Sequence, residues 1–302
     1  MKIISLQERH LPTLLNWINR LPYEYGWDAR AIHFRTLGDP VYRPEFMLVA
    51  EEAREPLGFL LGIVRDGRGW IKGMVVRPDR QRQGIGSRLL QEVEANFAKA
   101  GVSQVTAGWC PLTFFAGGWD IRYTGAVNFM VKHGYVTDRK TRVNMWVDLA
   151  GRDFGSEAEE RRLRELGITA RRAAPEDREK VVELARTFSE GWALEIAQAW
   201  ENDPISLFVA EKEGRMVNFA CYGTDAPMYF GPLLTLPEFR GLGIATVTLK
   251  RCLVDMQRAG WSRIEIDWVG PIAFYERAVG AYIGRAFWYW EKELGGKVAD
   301  TK

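Results

Sequence analysis

Cysteine is scarce in this 302-residue chain: Cys110, Cys221 and Cys252 are all it has. They stand too far apart for a CxxC pair or a run of metal ligands. Reduced, buried thiols in a cytoplasmic protein are the expectation, with no metal site. Histidine is equally rare, and His10, His33 and His133 show no ligand spacing. They are expected at the surface or at helix ends rather than in catalysis. An excess of charge is missing too. Lys and Arg number 41 against 39 Asp and Glu, a formal net charge of +2. That balance points to neither nucleic acid nor a membrane surface as partner. Long apolar runs are absent: no stretch approaches the roughly 18 residues of a membrane span. The opening "MKIISLQERHL" meets Glu8 and Arg9 before a signal-type segment builds up.

What is present is a soluble, globular composition, 47% hydrophobic and 26% charged, with 12 tryptophans. The length allows two domains, each with its own core. The basic run "RRLRELGITARR" has acids close by and reads as solvated. The chain also repeats itself. When Gly84 is laid on Gly243, Pro78 meets Pro237, Leu90 meets Leu249, and Ala100-Gly101 meets Ala259-Gly260. Upstream, "LVAEEAREPLGFLLG" from Leu48 parallels "FVAEKEGRMVNFACYG" from Phe208. Self-similarity on this scale implies duplicated domains rather than a solenoid. Expected boundaries are 1–150, a charged linker with a helical start over 151–167, and 168–302. Each copy reads β-α-α-β-β-β-α-β-α-β, a mixed α/β layer instead of a doubly wound sheet. The first copy carries an extra segment, "CPLTFFAGGWDIRYTG".

Each copy also places a glycine pair where a helix begins: "RQRQGIGSRLL" from Arg80 and "FRGLGIATVTL" from Phe239. A helix start offers unpaired N–H groups and the positive end of a dipole. Glycine lets an anion approach them closely, which makes a phosphate cradle. Gln81, Arg82, Gln83 and Arg240 are the expected donors at the mouths. A tight turn that merely starts a helix would explain one such loop, but two independent copies favour the cradle. Nucleotide fingerprints do not fit: Leu89 stands where a Rossmann motif needs a third glycine, and Ser87-Arg88 replaces the P-loop Lys-Ser/Thr.

Gln81-x-x-Gly84-x-Gly86 and Arg240-x-x-Gly243-x-Ala245, each after a strand and a proline, resemble motif A of the GNAT superfamily of acyl-CoA-dependent N-acyltransferases. A later family motif is echoed by Ala126, Phe129, Lys132, Gly134 and Tyr135, and again by Phe274, Tyr275, Arg277 and Gly280. The resemblance covers nearly the whole chain, twice. It implies two tandem GNAT-like domains, each a mixed, mostly antiparallel sheet flanked by helices. It also implies an acetyl-CoA donor, with the diphosphate on the loop N–H groups of Gly84, Ile85, Gly86 and Ser87. In the second copy the matching groups are Gly241, Leu242, Gly243, Ile244, Ala245 and Thr246. The pantetheine arm would then lie along Met74, Val75 and Val76, or along Leu234, Thr235 and Leu236, with Asn128, Phe129 and Phe274 beside it.

Acyl transfer needs a neutral amine, a polarised thioester and a proton for the departing thiolate. Tyr275 stands at the family's general-acid position, whereas the first copy has Met130 there. A core-edge aromatic is the plain alternative for that tyrosine. For a base, Asp267 and Glu265 alternate on one strand and share a face, unless both are simply solvated. Trp119, Asp120 and Tyr123 in the extra segment are the acceptor-side candidates of the first copy. That segment covers a ligand or fills space between the copies, and the tryptophans serve stacking or packing; the sequence leaves both pairs open. The expectation is an N-acetyltransferase acting on a primary amine of a small molecule, such as an aminosugar or polyamine, by direct attack in a ternary complex. The chain would be a monomer or homodimer. An acyl-CoA sensor with non-catalytic domains and a protein-amine acetyltransferase are the alternatives.

Overall fold

The computed structural model describes residues 1–23 and 26–295. The first copy runs β1 (Lys2–Ser5), α1 (Leu11–Ile18), α2 (Ala29–Arg35), β2 (Met47–Glu52), β3 (Glu55–Arg65) and β4 (Arg68–Val76). There follow α3 (Ile85–Lys99), β5 (Gln104–Ala107), a two-residue β6 (Trp119–Asp120), α4 (Thr124–Lys132) and β7 (Arg142–Asp148). The stretch between the copies carries α5 (Glu157–Glu165). The second copy repeats the order with β8 (Ile168–Arg172), α6 (Arg178–Arg186), α7 (Glu190–Ala197), β9 (Leu207–Lys212) and β10 (Arg215–Tyr222). It continues through β11 (Tyr229–Thr235), α8 (Ile244–Arg258), β12 (Arg263–Ile266), α9 (Ile272–Val279), β13 (Tyr282–Trp288) and β14 (Trp290–Glu293).

The hairpins close as the turn chemistry demands. Ala53-Arg54 joins β2 to β3, Asp66-Gly67 joins β3 to β4, and Glu213-Gly214 joins β9 to β10. All six residues have φ between 48° and 76°. Two successive left-handed residues match the twist of the flanking strands.

The chain forms two compact units, and they cut across the two sequence copies. One comprises Met1–Arg142 with the chain from Ala286 onward; the other is Val143–Arg285. The first unit's sheet is ordered β1-β2-β3-β4-β5-β14, the second's β7-β12-β11-β10-β9-β8, with β13 beside β7. Within each sheet the pair at the centre of the chemistry, β4–β5 or β11–β12, is parallel, and the other registered pairs are antiparallel. The divisions expected at residues 150 and 168 thus miss an exchange of strands. β7, the last strand of the first copy, pairs with β12 (Trp146 opposite Glu265). β14 pairs with β5 (Trp290 opposite Ala107). Burial drives both choices: Met145 and Val147 join Ile264 and Ile266 in one core, and Trp290 joins Val105 and Ala107 in the other.

In the first unit α3 lays Leu89, Val93 and Phe97 on Phe46, Leu60 and Ile71. In the second, α8 lays Leu249, Leu253 and Met256 on Phe230 and Ile264. The opposite face of that sheet, through Val209 and Phe219, packs on Val181 of α6 and Ile196 of α7. The three cysteines are free thiols and buried. His10 departs from expectation: it is 1% exposed, with Nε2 3.3 Å from Glu51 on β2. Lys2 and Arg9 reach the same carboxylate, which they and His10 hold down to about 2 against the cost of its burial.

Candidate active site

Both glycine loops have one backbone shape. After Pro78 and Pro237 each chain makes a single tight turn, then turns left-handed at Arg82 and Gly84 (φ 62° and 84°) or at Gly241 and Gly243 (φ 79° and 91°). Gly84 and Gly243 are the N-caps of α3 and α8, and no side chain caps either helix. A Cβ built on Gly84, Gly241 or Gly243 would meet nothing within 4 Å. Positive φ, not crowding, therefore requires glycine at these caps, and the space over the first-turn N–H groups is open. Side chains at the mouths mainly brace the turn. Gln81 Nε2 donates to the Val76 carbonyl at 3.1 Å, Arg240 Nε to the Thr235 carbonyl at 3.3 Å, and Gln83 Nε2 to the Asp79 carbonyl at 3.2 Å.

The structure brings Met74, Gly86 and Phe129 together: a Cβ on Gly86 would lie 3.4 Å from the Phe129 ring and 3.6 Å from the Met74 methyl. Ser87 Oγ lies 2.9 Å from His133 Nε2, and that imidazole lies 4.1 Å from the Phe129 ring. Asn128 is on the exposed side of α4. In the second unit Leu236, Leu242 and Ile244 pack in one apolar cluster beneath the loop, while Thr246 and Phe274 line a cleft beside it.

Behind each loop two parallel strands part. β4 and β5 pair from Arg68–Gln104 to Ile71–Ala107 and no further. β11 and β12 pair only at Tyr229–Glu265 and Phe230–Ile266. Gly231-Pro232 comes next, and proline has no N–H to continue the ladder. Beyond these points Val75, Val76, Leu234 and Thr235 pair only with β3 or β10, so no strand covers the edge of β4 or β11 toward the opening, although the Val76 and Thr235 carbonyls are taken by Gln81 and Arg240.

Chemistry gathers at the second opening. Asp267 donates its backbone N–H to the Phe230 carbonyl at 3.3 Å, just past the last strand pair. Its Oδ1 is closed to solvent and has no hydrogen-bond partner among the described residues. Burial pushes its carboxyl up to about 8, with the negative charges of Asp225 and Glu265 adding to the effect. Glu265, by contrast, is committed. It accepts from Asn144 Nδ2 at 2.6 Å and Trp146 Nε1 at 3.2 Å, and Arg285 lies 3.6 Å away. Tyr275 of α9 is 7% exposed, its ring edge-on to Phe230 at 6.3 Å. No described residue hydrogen-bonds its hydroxyl, and burial pushes the phenol well above its ordinary range. Asp267 and Tyr275 thus both contact Phe230, one through its backbone and one through its ring.

Sequence comparison supplies the family. Residues 11–110 and again 174–281 match the sequence model of the acetyltransferase (GNAT) family. The chain belongs to it. No curated protein matches in sequence. Among solved structures, a tandem GNAT protein of the clavulanic acid biosynthesis pathway superposes with a TM-score of 0.70 at 17% identity, covering 98% of this chain and 99% of that one. A GNAT protein of Sphaerobacter thermophilus gives 0.67 at 17%, covering 97% and 95%. The glucosamine N-acetyltransferase region of a fungal multi-domain β-N-acetylglucosaminidase gives 0.72 at 17%; this chain is 96% covered but spans 38% of that protein. At such identity the likeness shows the fold: two GNAT modules in tandem. Among the described residues no helix is long and apolar enough to cross a membrane, and no cluster of His, Cys, Asp and Glu could hold a metal ion.

The first GNAT module has the loop but a different opening. Lys72, next after the last strand pair, is buried and reaches Asp39 Oδ2 at 2.6 Å, Thr113 Oγ1 at 2.5 Å and the Arg35 carbonyl at 2.5 Å. Thr113 belongs to the extra segment, whose Phe115 lies 6.0 Å from the Lys72 ammonium and 5.4 Å from Trp27. Asp120 is gripped by Arg122 at 2.6 Å, Trp119 pairs with Trp288, and the Tyr123 hydroxyl accepts from the Tyr23 N–H at 3.3 Å. Met130, at the position of Tyr275, is wholly buried. Sequence reasoning missed Asp225, which sits in an ordinary turn between β10 and β11. It also missed Lys72, although a lysine inside "WIKGMVV" was a readable signal that a buried anion must lie nearby.

Proposed function

We propose that this chain is an acetyl-CoA-dependent N-acetyltransferase whose chemistry runs in the second unit, on a primary amine of a small molecule. One observation carries the reading: a buried tyrosine and a partly buried carboxyl whose Oδ1 is closed to solvent flank the point where β11 and β12 part, behind an open anion cradle. The thioester carrier's diphosphate sits on the N–H groups of Gly243 to Thr246. Its pantetheine arm runs along the uncovered edge of β11, which brings the thioester to Phe230.

An alkyl ammonium titrates near ~10 and is not a nucleophile at neutral pH. The ionised fraction of Asp267, which grows as pH rises toward 8, accepts one proton from it and passes that proton to solvent. The free amine attacks the thioester carbonyl, and backbone N–H groups at the parted strands hold the oxyanion. As the tetrahedral intermediate collapses, the C–S bond breaks and the CoA thiolate takes the Tyr275 proton. The proton lost from the acylated nitrogen restores the phenol. Glu265 is engaged by Asn144, Trp146 and Arg285 and is not the base in this reading.

The first unit is a carrier-binding module without turnover. Lys72, Asp39 and Thr113 fill the place where the acyl end would lie, and Met130 cannot donate a proton. The decisive assay incubates the full chain with acetyl-CoA and a panel of aminosugars and polyamines and follows CoA release. Tyr275→Phe is expected to lower kcat about 100-fold with KM nearly constant. CoA binding without release on any amine would favour the sensing alternative, and release only with peptide amines would favour a protein acceptor.

A further inference from the structure

β7, the strand that the first copy lends to the second unit, meets β12 with Trp146 opposite Glu265 and Met145 opposite Ile266. One step further out Asn144 stands opposite Asp267, so Asn144, Trp146, Glu265 and Asp267 share one face of the sheet. Asn144 is wholly buried, and both ends of its amide are engaged. Nδ2 donates to Glu265 Oε1 at 2.6 Å, and Oδ1 accepts the Trp268 N–H at 2.9 Å. These two partners bracket Asp267 in the chain. Trp268 is left-handed at φ 41°, the one aromatic residue so placed among the described residues. A bulky side chain rests there only where its surroundings fix it. The Asn144 bond is such a constraint, and the Val269 N–H, held by the Val143 carbonyl at 2.9 Å, is a second.

The first unit repeats the backbone without the side chains. There Trp290 opposes Ala107, which sets Tyr289 at the place of Asn144 and Gly108 at that of Asp267. Gly108 donates its N–H to the Ile71 carbonyl at 2.8 Å, as Asp267 does to Phe230. Resting on the assignment of Asp267 as the base, we propose that Asn144 is its positioning residue. By tying Glu265 to the Trp268 backbone it fixes the Asp267 carboxyl where β11 and β12 part, so the last strand of the first copy completes the second unit's acyl-transfer site. Burial is the main force raising that carboxyl, the charges of Asp225 and Glu265 add to it, and Asn144 with the Trp268 N–H draw it back. The other groups around it are Arg285 of β13, 3.6 Å from Glu265, Glu195 of α7, which with Asp225 acts on the Cys221 thiol, and the Tyr275 phenol edge-on to Phe230. Asn144 thus keeps the base within reach of neutral pH.

The test is the kcat/KM profile of the full chain with acetyl-CoA and one amine from about pH 6 to about pH 10. It is run on the parent, Asn144→Ala, Asn144→Asp, and Asn144→Ala combined with Asp267→Asn. One amine throughout cancels its own titration, and scaling each profile to its plateau cancels any loss of folded protein. Asn144→Ala should move the rising limb up by about one pH unit, as expected for loss of one hydrogen bond to a charged group. Activity then falls about ten-fold near pH 7 and recovers toward the plateau. Asn144→Asp keeps an acceptor for the Trp268 N–H but replaces the donor with a negative charge, and should move the limb at least as far. It carries the test if the alanine variant does not fold. With Asp267→Asn in place, Asn144→Ala should leave the shape of the profile unchanged. A limb at the parent's pH in the Asn144 variants, or an equal loss at every pH, overturns the inference while the base assignment stands. A parent profile with no rising limb removes both.

Discussion

Glu265 and Asp267 lie two residues apart and share a strand's direction, yet their surroundings differ. Asn144 and Trp146 donate hydrogen bonds to Glu265 and Arg285 pairs with it, whereas one Asp267 oxygen is closed to solvent with no hydrogen-bond partner among the described residues. Because the Asp267 carboxyl rises from 3.8 to about 8 on folding, the native chain binds the extra proton. Its contribution to stability therefore falls as pH rises from about 4 to about 8. Asp267→Asn removes that loss: its melting temperature should exceed the parent's by a margin that grows across this range and vanishes near pH 4. In activity, kcat/KM of the parent should climb through pH 8, and Asp267→Asn should flatten the climb and lower the plateau at least 10-fold. A parent profile flat between pH 6 and 9 would exclude Asp267 as the base. Tyr275 and Asp267, whose roles are proposals, were readable in the sequence as candidates, because one completes a motif and the other alternates on a strand. Asp225 was not, since only the folded loop carries its charge to Asp267.

At the scale of elements, the loops were the most legible feature. Two glycines before a helix specify a left-handed cap, and both caps appear at φ 84° and 91°. Gly243→Val and Gly84→Val force a branched side chain into that conformation, at a cost of about 1–2 kcal/mol, and project it into the open space above the N–H groups. Each variant is expected to lose one CoA site by calorimetry and retain the other; two surviving sites in both would mean the caps do not hold the carrier. The strand openings become visible only in the fold. Their physical cause in the second unit, a proline next to the last pair, was readable in "MYFGPLLTL". The buried Lys72–Asp39 pair belongs to this scale as well, because it clamps α2, β4 and the extra segment. Lys72→Met should destabilise the chain by about 3–5 kcal/mol by leaving Asp39 unpaired. Turnover in the second unit should be unaffected at temperatures where the variant remains folded.

At the scale of the molecule, the duplication was plain from the sequence and the exchange of strands was not. Alternation along "NMWVDL" and "RAFWYWEKEL" tells which side chains turn inward, but an apolar face carries no record of whose edge it will join. Two sheets of the same strand order offer comparable edges, and only completed packing decides. The consequence is measurable. Trp290, numbered in the second copy and 2% exposed in the first unit's core, should cost about 3–5 kcal/mol when replaced by alanine. Halves of 1–150 and 151–302 produced separately should be insoluble, one exposing the edge of β5 that β14 covers and the other the edge of β12 that β7 covers. Produced together they should recover CoA release; soluble, independently folded halves would contradict the exchange.

Protein synthesis adds a clock to this topology. β5 leaves the ribosome well before β14, the strand that completes its sheet, so a nascent chain waits on the order of ten to forty seconds for its own last strand. During that wait β5 is exposed to any sticky neighbour, including another copy still being translated. Chaperone demand in the cell should therefore follow translation speed over the second half of the message, more than the stability of the finished protein.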